Sequence, residues 1–285
     1  MASEVELTHR ELLADAAAVL RAAGLPQARR EAIRLWSEVT GEGPATAILQ
    51  PGVAAGSRAA DAFRDAVARR AGGEPLAHVA GRTGFRRLTL KSDRRGLIPR
   101  PETEGLVDLL LARVRTGRVV DVGAGSGCLA LSLAAEGSFS HIVGVDRSAE
   151  ALALARENQE LVGARLDLLQ GDLCAPLRCG VFDALVSNPP YLSDAEYAAL
   201  DGAVKQWEPR EALVGGTDGL DVTRRLLDQA RRLLRPNGWL ALEIDCTRAA
   251  RCASHAGELG WADVAIHADL FGRERYLLAR RSPTQ

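Results

Sequence analysis

The sequence has few of the residues that indicate a metal centre or a disulfide scaffold. It contains five cysteines and five histidines in 285 residues. The cysteines form no C-x-x-C pair and the histidines are scattered, so we expect no metal site. The thiols stand in apolar surroundings, which indicates free cysteines in a reducing cytoplasm, at Cys128, Cys174, Cys179, Cys246 and Cys252.

Long apolar runs are also missing, and the first residues do not show the pattern typical of a targeting segment. No apolar stretch approaches the roughly 20 residues that a membrane-spanning helix needs. The N-terminal segment carries acids at Glu4 and Glu6 and has no apolar region behind a basic start. We therefore expect no signal peptide and no membrane association, and we predict a cytoplasmic protein.

Charge of one sign is not in excess. The chain has 36 basic and 37 acidic residues, a net charge of -1 and a pI near 6.5. This balance gives no bulk attraction to nucleic-acid phosphates, although a local basic patch is compatible with it. Hydrophobic residues make up 47% of the chain, and its length accommodates one large domain and a small one.

The most informative segment of the sequence is Asn188-Pro189-Pro190-Tyr191, which follows the apolar run Ala184-Leu185-Val186. The run predicts a buried strand, and the two prolines stiffen its end without donating backbone hydrogen bonds. What remains is an amide side chain and prolyl carbonyls beside an aromatic ring. This arrangement suits an NH2 group that is held, stacked upon and methylated. A plain Pro-Pro turn ending a strand is the alternative.

A glycine-rich loop lies upstream, between an apolar strand and a helical pattern. Such a strand, loop and helix start form a nucleotide-type site. The spacing is G-x-G-x-G rather than the G-x-G-x-x-G of dinucleotide sites, and an acid precedes the first glycine by two residues. That carboxylate would repel a pyrophosphate but attract the ammonium of a methionine group, so the loop favours S-adenosylmethionine over NAD. Its residues are Asp121, Gly123, Ala124, Gly125, Ser126 and Gly127.

Two further acids follow predicted strands. Asp146 ends the strand Ile142–Val145, about 20 residues beyond the glycines, where an acid normally accepts hydrogen bonds from ribose hydroxyls. A solvated helix N-cap is its alternative role. Asp172 is a candidate for the adenine amine, with the Leu173 backbone N–H on a ring nitrogen, unless it is an ordinary loop carboxylate.

The periodicity divides the chain into three regions. Residues 1–75 show helical patterns with short breaks, beginning at a capping box of Thr8 and Glu11. Residues 76–100 contain two strand-like pieces, 85–91 and 96–98, which predict a connecting β-hairpin. Residues 101–285 alternate helices and strands, which predicts an α/β fold with a mainly parallel sheet. The strand candidates are 118–122, 141–146, 166–170, 182–187, 239–245, 262–267 and 274–280.

With these motifs the chain resembles the peptide chain release factor glutamine methyltransferases, the HemK/PrmC family, over nearly its whole length. The segments that carry the resemblance, besides the Asp121–Gly127 loop and Asn188–Tyr191, are Gly81–Phe85, Leu97–Glu104, Trp207–Arg210 with Ala212-Leu213, Gly215-Gly216, Asp218–Leu220, Leu242–Ile244, Asp269-Leu270 and Gly272-Arg273. The resemblance implies a Rossmann-like class I S-adenosylmethionine methyltransferase with a seven-stranded sheet. It also implies that the N-terminal helices help to bind the protein substrate.

The implied reaction methylates the side-chain amide of the glutamine in the Gly-Gly-Gln motif of release factors and leaves S-adenosylhomocysteine. Asn188, Pro189 and Tyr191 are the catalytic candidates, because the Asn188 oxygen and the Pro189 carbonyl can each accept one N–H of the amide while Tyr191 stacks on its plane. Pro190 is a further substrate candidate, and Asn188 is also expected to touch the cofactor. Phe85 either walls the substrate pocket or packs the hairpin.

Three other functions remain open at this point, and two positions depart from the family pattern. The open functions are a methyltransferase for exocyclic amines of nucleic acids, a binding protein that lost catalysis, and a Rossmann dehydrogenase. Asp245 replaces the usual glycine after Glu243-Ile244, and the hairpin lacks the usual acid before Phe85. We expect a monomer that acts on release factors and does not bind nucleic acid directly.

Overall fold

A computed structural model describes residues 7–283, apart from the side chains of Pro44 and Ala203. The acids at Glu4 and Glu6, on which the signal-peptide prediction depends, lie outside the described residues. The chain forms two compact units that divide between Gly81 and Arg82. No helix within residues 7–283 is long and apolar enough to cross a membrane.

The smaller unit consists of helices, which are α1 (His9–Ala22), α2 (Ala28–Thr40), α3 (Pro44–Leu49), α4 (Ser57–Ala71) and α5 (Leu76–Ala80). The predicted capping box is confirmed: the Thr8 hydroxyl accepts from the Glu11 N–H, and the Glu11 carboxylate accepts from the Thr8 N–H at 2.9 Å. Trp36 occupies the centre of the core, with its ring edge-on to His9 and Phe63 at centroid distances of 5.0 and 5.2 Å. The aromatic cluster thus joins α1, α2 and α4.

The larger unit begins with a β-hairpin and continues as alternating helices and strands. Its helices are α6 (Glu104–Leu111), α7 (Cys128–Glu136), α8 (Ala149–Val162), α9 (Asp194–Ala199), α10 (Gly202–Trp207), α11 (Asp221–Leu233) and α12 (Ala249–Glu258). Its strands are β1 (Arg82–Phe85), β2 (Leu88–Lys91), β3 (Thr116–Val122), β4 (Ser138–Asp146), β5 (Asp167–Gln170), β6 (Phe182–Ser187), β7 (Leu192–Ser193), β8 (Val214–Gly216), β9 (Leu234–Glu243), β10 (Ala262–Ala268) and β11 (Glu274–Arg280).

The main sheet has seven strands in the order β5-β4-β3-β6-β9-β11-β10. All neighbours pair in parallel except β11, which is antiparallel to both β9 and β10. Apolar side chains are buried on both faces of the sheet, as expected for parallel strands covered by helices. The predicted Rossmann-like architecture with a mainly parallel seven-stranded sheet is therefore confirmed.

The strand register brings the carboxyl ends of the central strands to one edge. Asp121 on β3 lies opposite Gly144 on β4 and Val186 on β6, and Asp146 lies opposite Gln170 on β5. The loops that follow β3, β4, β5 and β6 consequently start side by side. This edge is where ligands bind in open α/β sheets.

The hairpin differs from the sequence prediction. The segment 85–91, expected as one strand, contains a turn at Arg86-Arg87, while 96–98 is not a strand. Arg86 adopts a φ of 52°, and its backbone N–H donates to Glu104 at 2.7 Å. Its guanidinium also binds Asp108 and Glu136. These partners are distant in sequence, so local patterning could not locate the turn.

The hairpin and helix α5 belong to different units, whereas the sequence placed both in one linker of residues 76–100. Val79 of α5 lies in the core of the helical unit. The hairpin instead packs against α8, because the Lys91 backbone N–H donates to Asn158 at 2.6 Å and the Asn158 amide donates back to the Lys91 carbonyl at 3.2 Å. The hairpin is thus an integral part of the sheet-containing unit.

Gly105 on α6 provides a test of the packing between α6 and β11. A Cβ atom at this position would lie 2.5 Å from the hydroxyl oxygen of Tyr276, which is 4% exposed. Alanine normally stabilises a helix by about 0.5–1 kcal/mol relative to glycine. Here overpacking should dominate, and we expect Gly105→Ala to lower the free energy of unfolding by about 1–3 kcal/mol in chemical denaturation.

The matched control is Gly257→Ala on α12, where a Cβ meets nothing within 4 Å. This change should raise the free energy of unfolding. If both alanine variants are more stable than the wild type, the close approach between Gly105 and Tyr276 is refuted.

Candidate active site

A cavity of about 570 Å³ opens at the carboxyl edge of the main sheet. Its volume lies in the range that holds a nucleoside-sized ligand. It is lined by the loops after β3, β4, β5 and β6 and by the segments 95–103 and 209–214, including Gly123, Ala124, Gly125, Ser126, Asp146, Asp172, Leu173, Asn188 and Pro190. Most of the residues predicted from the sequence therefore share one cavity.

A second concavity, of about 590 Å³, lies near the amino ends of β3 to β6. Arg118, His141 and Arg156 contribute to its wall, and none of the predicted site residues does. Ligands of open α/β sheets bind at the carboxyl ends of the strands. The cavity at that edge is therefore the candidate site.

The glycine loop turns tightly between β3 and α7. Gly123, Gly125 and Gly127 have φ values of 76°, 54° and 81°, which other residues rarely adopt. The N–H groups of Gly123 and Ala124 donate to the Val145 carbonyl at 2.8 and 3.0 Å, which fixes the loop to β4. The sequence spacing of the three glycines thus reflects three left-handed backbone positions.

Asp121 lies beneath this loop and is not among the residues that line the cavity. Its side chain is 1% exposed, and Oδ2 accepts from the Ala130 N–H at 3.1 Å. Its other oxygen, Oδ1, has no hydrogen-bond partner among the described residues. Burial, together with the nearby Asp146 carboxylate, raises the pKa of Asp121 to about 7, although the hydrogen bond from the Ala130 N–H lowers it. A buried acid with one free oxygen is suited to bind a cationic group or a water.

Asp146 connects the glycine loop to the start of α8. Its Oδ2 accepts from the Gly125 N–H at 2.8 Å and its Oδ1 accepts from the Ser148 N–H at 2.9 Å. Burial raises the pKa of this carboxyl, while these backbone donors lower it. Each oxygen retains a lone pair, so the carboxylate can accept further hydrogen bonds in the cavity.

Asp172 and Leu173 lie together after β5. The Asp172 carboxylate forms an ion pair with Arg225 of α11, and both residues line the cavity. Leu173 has a φ of 52°, so the chain turns sharply here. No sequence motif indicated Arg225, because it approaches from a helix 53 residues away.

Asn188 takes part in a chain of side-chain hydrogen bonds that ends at the buried Glu243. Its Nδ2 donates to Thr103 Oγ1 at 3.1 Å, and Thr103 Oγ1 donates to Glu243 Oε2 at 2.6 Å. Burial raises the pKa of Glu243 to about 7, although the Thr103 hydroxyl and the Arg275 guanidinium lower it. Thr103 lines the cavity beside Asn188. Neither Thr103 nor Glu243 was singled out as a site residue in the sequence.

The carbonyl groups of Pro190 and Tyr191 pack closely against Gly215 in β8 and Gly219 just after it, where there is no room for a side chain. A Cβ on Gly215 would lie 2.4 Å from the Pro190 carbonyl oxygen, and one on Gly219 would lie 2.3 Å from that of Tyr191. Pro189 is buried, and burial raises the pKa of Tyr191 to about 12, so its phenol stays protonated. The glycines thus fix the path of the chain just after Asn188.

Phe85 is not in the cavity. It is 1% exposed and belongs to a core cluster with Leu106, Leu110 and Leu129. Phe85 therefore has the alternative role, in which it packs the hairpin. The expectation that it forms a wall of the substrate pocket is corrected. Its aromatic side chain is buried because the hairpin packs onto the sheet unit.

Two loops at the cavity are joined by an ion pair that sequence patterns did not predict. Arg100 Nη2 lies 2.6 and 2.7 Å from the two carboxylate oxygens of Glu208, which is 6% exposed. Trp207, the preceding residue, has the Arg94 guanidinium 4.9 Å from its ring centroid. The ion pair therefore joins Leu97–Glu104 to Trp207–Arg210, and the Arg94 stacking joins the latter to the residues just before Leu97.

No group of histidine, cysteine, aspartate and glutamate side chains in the described part of the chain is arranged to hold a metal ion. The five cysteines all carry free thiols.

Comparisons with known proteins agree with this geometry. The family model of the methyltransferase small domain matches residues 101–206, and the PrmC N-terminal domain matches residues 11–81. A release factor glutamine methyltransferase from Deinococcus radiodurans is 41% identical, over 96% of this chain and 98% of its own length. One from Moorella thermoacetica is 40% identical, over 96% and 99%.

The chain belongs to the release factor glutamine methyltransferase family. Among solved structures, a methyltransferase from Pyrococcus furiosus superposes with a TM-score of 0.54 at 20% identity, over 68% of this chain and 88% of that one. This likeness concerns the fold. The members of this family are enzymes. Because the chain belongs to it, a Rossmann dehydrogenase and a binding protein without catalysis are rejected as candidate functions.

The departure from the family pattern after Glu243 has its own local contacts. Asp245 caps a short 3-10 turn by accepting from the Thr247 N–H at 2.7 Å. Arg248 on that turn binds Glu196 at 2.6 Å and donates to the Asp218 carbonyl at 2.9 Å. None of these residues lines the cavity.

The buried Asp121 predicts how the stability of this methyltransferase varies with pH. Its folded-state pKa of about 7 lies above its ordinary value of 3.8. The folded state therefore holds the proton more tightly, and this group costs stability increasingly as pH rises from about 4 to 7. We expect Asp121→Asn to abolish this loss of stability. The free energy of unfolding of the variant should exceed that of the wild type by a margin that grows to about a few kcal/mol at pH 7, measured by chemical denaturation at a series of pH values.

The matched control is Asp228→Asn, which changes an exposed carboxylate on α11. Identical pH dependence in wild type and Asp121→Asn would contradict the buried, partly unpaired state of Asp121.

Proposed function

We propose that this protein transfers a methyl group from S-adenosylmethionine to the side-chain amide nitrogen of the glutamine in the Gly-Gly-Gln motif of peptide chain release factors. The observation that carries the proposal is that Asn188 and Pro190, which follow β6, line the same cavity as the glycine loop. Pro189 and Tyr191 adjoin them in the chain and are not among the residues that line the cavity. Relatives named release factor glutamine methyltransferase, about 40% identical over nearly the whole chain, support it. They favour it over methylation of nucleic-acid amines.

The cavity residues fit S-adenosylmethionine. Asp121 lies beneath the glycine loop rather than in the cavity wall, and its free Oδ1 suits a water bound to the positively charged methionine end. The tight loop of Gly123, Ala124, Gly125, Ser126 and Gly127 offers close approach to the backbone, and Asp146 is the candidate acceptor for the ribose hydroxyls. Asp172 and the Leu173 N–H are the candidates for adenine. When bound, S-adenosylmethionine supplies a methyl carbon whose bond to sulfur breaks as the amide nitrogen attacks, leaving S-adenosylhomocysteine.

The protein must overcome the low nucleophilicity of an amide, whose nitrogen lone pair is delocalised into its carbonyl. Asn188 Oδ1 and the Pro189 carbonyl each accept one N–H of the target amide and thereby aim the nitrogen at the methyl group. Tyr191 stacks on the amide plane and selects a flat group. Positive charge grows on nitrogen during the transfer, so these acceptors stabilise the transition state more than the bound substrate. One amide proton then leaves to solvent.

The helical unit is proposed to bind the release factor. Its family match is to the PrmC N-terminal domain. Ile48 and Leu49 of α3 are 52% and 76% exposed, which provides apolar contact area for a protein partner. We further propose that the enzyme is a cytoplasmic monomer without direct contact to nucleic acid, in keeping with its net charge of -1.

The function is tested with isotopically labelled S-adenosylmethionine and purified release factor. We expect label on the factor and none on a factor whose Gly-Gly-Gln glutamine is replaced by alanine. Asn188→Ala should lower the transfer rate by about 100-fold or more, because one acceptor for the reacting amide is lost.

The matched control is Asn237→Gly, which removes an amide side chain within β9 where φ is already 67°. This variant should keep the wild-type rate. Label on tRNA, rRNA or DNA, with none on the release factor, would overturn the substrate assignment.

A further inference from the structure

Three side chains from separate elements form a continuous hydrogen-bond chain at the edge of the cavity. Asn188 follows β6, Thr103 precedes α6 and Glu243 ends β9. The distances are 3.1 Å from Asn188 Nδ2 to Thr103 Oγ1 and 2.6 Å from Thr103 Oγ1 to Glu243 Oε2. Thr103 is 2% exposed and Glu243 is 1% exposed, so the bond between them is shielded from water.

The Glu243 carboxylate, at the end of the hydrogen-bond chain, determines which group donates and which accepts in each bond. An ionised carboxylate only accepts hydrogen bonds, so the Thr103 hydroxyl hydrogen is committed to Glu243. The Thr103 oxygen can then meet Asn188 only as an acceptor. Asn188 must therefore turn its NH2 group towards Thr103, which directs the amide oxygen away from Thr103. No described residue donates a hydrogen bond to that oxygen.

We propose that Thr103 and Glu243 are positioning residues, which hold the Asn188 amide in the orientation that presents Oδ1, rather than Nδ2, to the substrate amide. This inference rests on the proposed function, in which Asn188 Oδ1 accepts a substrate N–H. The two ends of an asparagine amide have nearly the same shape but opposite hydrogen-bonding character. A flipped Asn188 would point an N–H at the substrate N–H and would no longer bind it.

The surroundings of Glu243 favour its acceptor role. Arg275 Nη1 lies 4.0 Å from Glu243 Oε1, and Arg275 Nε donates to Asp269 at 2.8 Å. The ion pair with Asp269 thus holds the Arg275 guanidinium beside Glu243. The charged or titratable groups around Glu243 are Arg100, Glu102, Cys128, Tyr191, Arg275 and Tyr276.

Protonation of Glu243 would remove the constraint. A protonated carboxyl can donate to Thr103, which frees the Thr103 hydroxyl to donate to Asn188 Oδ1 and so stabilises the flipped amide. Burial raises the pKa of Glu243 to about 7. The active orientation is therefore fixed above this pH and lost as pH falls below it, and the transfer rate should fall in the same window.

The inference is tested by a pair of substitutions at Thr103. Thr103→Val keeps the shape but removes the hydroxyl, and Thr103→Ser restores it. We expect Thr103→Val to lower kcat for release factor methylation on the order of 10- to 100-fold, with little change in KM for S-adenosylmethionine. Thr103→Ser should recover most of the wild-type kcat. Glu243→Gln, which cannot titrate, should lose the fall in rate below pH 7.

A second measurement does not depend on the substrate. The Asn188 side-chain NH2 signals in 15N–1H spectra are identified by their absence in Asn188→Asp. They should shift in Thr103→Val and return in Thr103→Ser. Thermal unfolding of each variant checks that it is folded.

The outcomes separate this inference from the proposed function. Failure of the wild type to label the release factor contradicts the function, whatever the spectra show. A wild type that labels the factor, together with an undiminished kcat in Thr103→Val or an equally defective Thr103→Ser, overturns the positioning role. Unchanged Asn188 NH2 signals in Thr103→Val overturn it as well.

Discussion

The parallel pairing of β3 with β4 on one side and β6 on the other is the constraint on which the site depends. Side chains alternate between the two faces of a strand, so a shift of one residue would turn every one of them to the opposite face. The register places Asp121 opposite both Gly144 and Val186. The glycine loop, Asp146 and Asn188 meet at one edge because these three strands end together.

Burial of acids beneath that edge is the second constraint. Asp121, Glu208 and Glu243 are each at most 6% exposed, and burial raises the pKa of all three. They differ in their partners: Glu208 is paired with Arg100, Glu243 accepts from Thr103, and Asp121 retains a free oxygen. Buried acids with shifted pKa values are typical of ligand sites. The unpaired member, Asp121, is the one that we propose to serve the positively charged end of S-adenosylmethionine.

Several family motifs outside the cavity act through the backbone. Gly215 and Gly219 leave room for the carbonyls of Pro190 and Tyr191, and larger residues would displace the chain that follows Asn188. Asp269 accepts from the Phe271 and Arg273 N–H groups and from Arg275, which turns Arg275 towards Glu243. These residues shape the site without lining it.

The sequence by itself determined the positions along the chain of the seven main-sheet strands, the capping box at Thr8 and the residues of the glycine loop and of Asn188–Tyr191. Those features are set by local periodicity and by residues with special backbone preferences, such as glycine and proline. Only the tertiary structure decided the turn at Arg86, the burial of Phe85, the boundary after Gly81 and the link from Asn188 through Thr103 to Glu243. Each of the side-chain contacts among them joins residues far apart in the chain, and local patterns do not encode which distant partners a fold brings together.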